Sequence, residues 1–205
     1  MAEIIIKDGS GTGSSAHVDP NHQIHTLSRS VSIIQDAVGK GNAYNINTGL
    51  VALTSATESG VLYFKNDESP FNGESSFIVD AIAVGIDDEG TTTGMSTITI
   101  VRNPTGGTLI SGASDVAMNE NRNFGSSTSL STTSLAYKGV EGSTVTGGTD
   151  FGIFLQQPGT RGLYTIDVEL PKGASFAVKI DTDTSGGTTN VYVAIIGHRK
   201  DGNNA

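Results

Sequence analysis

Cysteine and tryptophan are absent from this sequence, proline is scarce at 5 residues, and only 16% of the residues are charged. Without cysteine there is no disulfide framework, no thiolate metal site and no cysteine nucleophile, so stability must come from packing or from assembly. The 12 basic residues are outnumbered by 21 acidic ones, and a net charge of −9 argues against nucleic acid as a partner. Phosphate binding needs clustered Lys and Arg that displace counterions. Long apolar runs are missing as well: stretches such as Val191–Ile196 fall far short of a bilayer span, so no membrane partner is expected. The opening Met1–Lys7 has no basic segment and too short an apolar run for a secretion signal, which leaves synthesis in the cytoplasm as the expectation. The one N-glycosylation triplet, Asn103-Pro104-Thr105, carries Pro at the forbidden middle position.

What the chain has in abundance is glycine, 27 residues, together with many Ser, Thr and Asn. That composition suits short strands joined by many turns, where positive φ is repeatedly needed. The 205 residues are enough for one β domain with an arm and short for two domains. The clearest local pattern runs from Leu163 to Asp181. Tyr164, Ile166, Val168 and Leu170 alternate with Thr165, Asp167 and Glu169; after Pro171-Lys172-Gly173, Phe176, Val178 and Ile180 alternate with Ala177 and Lys179. Period-2 alternation of this kind reads as a hairpin with one dry and one wet face, and the dry face calls for a second sheet.

Further strand signals fall at Tyr44–Leu53, Gly60–Lys65, Phe77–Ile86, Ser96–Arg102, Asp150–Gln156 and Asn190–His198. With the pair above they suit an all-β antiparallel sandwich of jelly-roll type over residues 43–199, followed by a frayed tail at 200–205. Between Asn103 and Gly148 lies a long, weakly patterned excursion, in which Thr108–Ile110 and Leu135–Tyr137 read as short extra strands. Residues 1–42 read as an extended N-terminal arm. It has a short strand near Ala2–Lys7, a Gly/Ser link at Asp8–Ser15, and an apolar series Leu27, Val31, Ile34, Val38 at helical spacing that a strand would also fit. Ser30 and Gly39 are the candidate helix start and stop.

Chemical signatures are few. His17, His22 and His25 with Asp19 match no closed metal-site spacing, and Pro20 among them suits a turn. Asp181-Thr182-Asp183 resembles half a calcium loop but lacks the bidentate Glu, so a hairpin turn is expected there. Asp87-Asp88-Glu89-Gly90 reads as a solubilising acidic turn. No nucleophile elbow, P-loop or zincin motif is present. The scattered carboxylates leave a glycosidase pair open, because their separation is invisible in sequence. The expectation is a protein that is not an enzyme and carries neither cofactor nor metal. Arg102, Arg122 and Arg161, set among Asn and Gly, are candidates for pairing with a neighbouring subunit.

Several segments together resemble a family of virion structural proteins of tailed bacteriophages. They are Ile4–Gly13 followed by Ala16-His17-Val18-Asp19, Gly41–Gly49, Val101–Ile110 and Leu170-Pro171-Lys172-Gly173. The resemblance implies a non-enzymatic, jelly-roll-like subunit, a homotrimer mounted on the particle surface. On that expectation the chain is a capsid decoration or cement protein whose partner is the major capsid protein. Ile4, Ile5, Ile6, Leu27, Val31 and Ile34 would anchor the arm to the shell or to sister subunits. The rival expectation is a fibre or tail-associated adhesion module for host surface glycans, with the 103–148 excursion as the reader and Phe124 and Tyr137 as its stacking residues. A cellular carbohydrate-binding module is a third reading; the missing signal peptide argues against it.

Overall fold

The computed structural model describes residues 6–7, 15–16, 32–54, 57–70, 75–87, 94–111, 115–116, 118–127, 130, 135–182 and 187–200. The chain divides into two units, Met1–Ser32 and Ile33–Ala205. In the first, β1 (Ile6–Lys7) pairs antiparallel with β2 (Ser15–Ala16), so Ser15 belongs to a strand instead of to the Gly/Ser link. The expected contacts Ile4, Ile5, Leu27 and Val31, the histidine cluster at 17–25 and the helix start at Ser30 lie outside the described residues.

The second unit opens with α1 (Ile33–Gly39), which makes the Ile34 and Val38 end of the apolar series helical and stops at the expected glycine. There follow β3 (Ala43–Asn47), β4 (Val51–Leu53), β5 (Ser59–Lys65), β6 (Phe77–Ile86) and β7 (Ser96–Arg102). Next come α2 (Thr108–Ser111), β8 (Asp115–Val116), β9 (Met118–Asn121) and β10 (Leu135–Lys138). The chain continues through β11 (Thr149–Gln156), β12 (Thr160–Leu170), β13 (Ser175–Asp181) and β14 (Thr189–Arg199). One sheet has the order β11-β7-β13-β5-β10-β8; the other runs β12-β6-β14-β3-β9, with β4 also on β14. All pairings are antiparallel, and four of them nest: β3 with β14, β5 with β13, β6 with β12, and β7 with β11.

The two sheets pack face to face, which is what strands with one apolar face must do. Phe64 of β5 and Phe77 of β6 meet across the interior with ring centroids 5.1 Å apart, flanked by Tyr44 and Phe176. Val84, Val178, Val193 and Ile195 fill the same fully buried core. A register shift between Val178 and Lys179 leaves Val61 unpaired, and this bulge turns the consecutive Val61 and Leu62 into the core together.

Three sequence expectations need correction. The Leu163–Asp181 run forms two strands as expected, but β12 and β13 lie in different sheets, so Pro171-Lys172-Gly173 arches from one sheet to the other and closes no hairpin. The same holds at Asp181–Asn190, since β13 and β14 are also in different sheets. A tight-turn sequence fixes a reversal of direction, not the identity of the partner strand. Second, the far face of β13 is covered at Ala177, which is buried with Tyr63 and Leu109 under the excursion, beside Tyr137 and Val145, while Lys179 on the same face pairs with Glu58. Third, Thr108–Ile110 is the helical turn α2, not a strand; Ile110 and Ser111 donate to Gly107 O, and the turn drops Leu109 onto Tyr63. Tertiary contact overrides local propensity there. The Tyr44–Leu53 signal is split into β3 and β4 around Thr48–Leu50.

Candidate functional site

β11 and β12 are the terminal strands of the two sheets, joined by the short turn Gln157-Pro158-Gly159 and therefore lying on one side of the sandwich. Gly159 has φ 74°, a backbone state that a residue with a Cβ resists, and its N–H donates to Ile86 O at 2.9 Å. On the inner side the two strands are fastened. The Phe154 and Tyr164 rings meet at 4.5 Å, Tyr164 Oη donates to Gln156 Oε1 at 3.0 Å, and Gln156 Nε2 donates to Thr160 O at 2.9 Å and Val84 O at 3.3 Å. Burial pushes the Tyr164 phenol above its ordinary value, because its neutral form is the one the apolar surroundings tolerate.

The outer side is bare. Phe151, Ile153 and Leu155 are 51%, 62% and 61% exposed, and Leu163 of β12 is 64% exposed. The β11 sequence alternates these three large apolar residues with Gly152, Phe154 and Gln156, and it is the less apolar set that faces the core. The shift between Asp150 and Gly152 bulges the strand at Phe151. Neither Lys nor Pro, the usual guards of an open edge, occurs in β11, whose one charge is Asp150. β12 is better guarded, with Arg161, Asp167 and Glu169 outward and a bulge between Thr165 and Val168 where Asp167 takes φ 44°. Among the described residues β11 has no partner on its outer edge, and exposed apolar side chains on such an edge form a surface able to bury itself against another chain. Burying the four side chains would contribute roughly 1–2 kcal/mol each, by scaling full burial to their exposed fraction.

The remaining sequence candidates are scattered. Ile34 is 38% exposed on α1, beside the barer Ile33; Ile6 lies in β1. Arg102 and Arg161 are exposed on β7 and β12, and Arg122 is half-buried after β9. Tyr137 stacks on Tyr63 at 5.9 Å, an ordinary packing role. Phe124 stands 99% exposed at the tip of a turn that Asn121 and Asn123 hold by accepting backbone N–H bonds from Asn123 and Gly125. Reasoning from sequence missed two largely buried side-chain pairs at the end of β14. His198 Nδ1 lies 3.1 Å from Asp80 Oδ1, and Arg199 Nη1 lies 3.7 Å from Glu68 Oε2 while Nη2 donates to Ser69 O. The second pair ties the 66–70 loop to β14. Both were hidden by sequence separation, 118 residues for the first.

Among the described residues no group of His, Asp and Glu is arranged to hold a metal, and no helix is long and apolar enough to cross a membrane. Comparison with known proteins finds no matching family model and no matching curated protein.

Proposed function

We propose that this chain is a non-enzymatic structural protein of a phage particle, a capsid decoration or cement protein that binds the outer surface of the head and stabilises the shell. The observation that carries the assembly part of this reading is the inverted β11, whose most apolar face is turned to solvent on an unguarded edge. A monomer gains nothing from that arrangement, whereas a subunit covered by a neighbour gains the burial of Phe151, Ile153 and Leu155. The nested strand pairing supports the jelly-roll reading, and the sequence resemblance supplies the head as location, the major capsid protein as partner and the homotrimer as state. The N-terminal arm is the second contact in this account.

The test is cosedimentation of the purified chain with undecorated heads. The wild-type chain should bind, an Ile153→Lys/Leu155→Lys variant should bind far more weakly, and deletion of residues 1–40 should abolish attachment. Unchanged binding by both variants would sink the reading. An adhesion module on a fibre or tail is the second reading, favoured by Phe124, which is presented bare at a loop tip in the excursion. A few copies at one vertex instead of many over the head would select it.

A further inference from the structure

The outward face of the β14 sheet carries a feature that neither the edge nor the arm explains. Its registers run Arg161–Gly85–Tyr192 in one row and Leu163–Ala83–Ala194–Asn47 in the next. Small residues therefore floor a trough along β6 and β14. The Tyr192 ring leans across Gly85 so closely that a Cβ at that glycine would come within 2.0 Å of it, so the glycine is what lets the ring lie down on the sheet. Two adjoining depressions of about 290 and 270 Å³ share Tyr192 and Leu50. Asn45 and Asn47 line the first; Asp87, Arg161 and Asn190 line the second.

The polar groups around the ring are unspent. Asn45 Oδ1 is fully buried with no hydrogen-bond partner. Asn47 uses its Oδ1 on Gly49 N–H at 3.0 Å, which leaves its two amide donors. Among the described residues the side chains of Tyr192, Asn190 and Arg161 have no hydrogen bond or ion pair. A buried acceptor without a partner is costly and calls for an explanation. An aromatic face beside amide side chains with unspent donors, and an orphaned acceptor at Asn45, matches a ligand whose ring is apolar on one face and hydroxylated at its rim. The lining places one cation and one carboxylate in the same depression, so it favours a neutral ligand over an ionic one.

We propose that the Tyr192 trough binds a neutral saccharide, with the Tyr192 ring as stacking platform and Asn45, Asn47 and Asn190 as hydroxyl readers. Each depression is near the lower size limit of ligand sites, which suits about one sugar ring apiece. The site is on the sheet face and not on the 103–148 excursion, and it does not depend on where the protein sits in a particle.

The test is a titration of the isotope-labelled full-length chain with maltotriose, cellotriose and chitotriose, followed by nuclear magnetic resonance. With at least one of these probes, the side-chain amides of Asn45, Asn47 and Asn190 and the Tyr192 ring should shift together along one binding curve. Tyr192→Ala should weaken that binding at least about tenfold, whereas Tyr192→Phe keeps most of it. Asn45→Leu gives a readout that does not depend on a fragile variant: it removes the orphaned acceptor, so the thermal midpoint should rise while binding falls. The proposal is overturned if millimolar amounts of all three probes leave these resonances in place, or if Asn45→Leu binds undiminished. Shifts that appear on raising the protein concentration alone would also overturn it, by making the trough a contact between copies.

Discussion

Single side chains hold this sandwich at points that its apolar alternation leaves open. Asn66 is fully buried, donates to both Ser75 O and Leu170 O at 2.8 Å, and accepts from Glu68 N. Asn66→Ala strands two carbonyls and an amide, and should cost about 3 kcal/mol in urea unfolding. Tyr44 has its phenol raised, first by burial and further by Glu68, with Arg199 opposing. A raised phenol favours the neutral form in the fold, so its contribution is intact below the unfolded value of 10.0 and is lost as pH climbs through the folded value. Stability measured by thermal unfolding should therefore fall steeply above about pH 10, and Tyr44→Phe should flatten that fall. The same variant should cost about 1 kcal/mol at neutral pH, because the hydroxyl donates to Gly41 O.

Strands decide what could be read in advance and what could not. β6 and β7 have the bounds their alternation implies, Phe77–Ile86 and Ser96–Arg102, because inward residues such as Phe77, Val84, Ile98 and Ile100 are all apolar and a one-residue slip would expose them. The arch after β12 was not legible, since Pro171-Lys172-Gly173 serves equally to reverse a strand within one sheet or to pass it to the facing sheet. β11 was not legible either. Its composition alone would turn Phe151, Ile153 and Leu155 inward, and the opposite choice is set by Phe154 against Tyr164 and by the Gln156 bonds that close the turn. The candidate site was thus hidden in a strand whose existence was plain. This makes a sharp prediction for two neighbours in sequence. Phe154→Ala should cost about 2–3 kcal/mol in chemical denaturation, less than a fully buried Phe because the ring is only partly buried against Tyr164. Ile153→Lys should stay within about 0.5 kcal/mol of wild type while weakening attachment to a partner.

At the scale of the whole molecule, the sandwich is a sealed core with one side left unfinished. Its apolar interior is enclosed between the two sheets, the excursion packs on the outer face of one of them, and β11 with β12 leaves four large apolar side chains uncovered. A chain without disulfides can gain its remaining stability from neighbours, and coupling to a lattice raises apparent stability by mass action. Thermal midpoint should therefore rise with protein concentration if copies associate, and rise further on heads. The most direct measurement of the central claim is cryo-electron microscopy of particles carrying this chain, read at β11. The account predicts density repeated over the head lattice with Phe151, Ile153 and Leu155 packed against a neighbouring subunit. Density confined to the tail, or a β11 face open to solvent in the assembled particle, would contradict it.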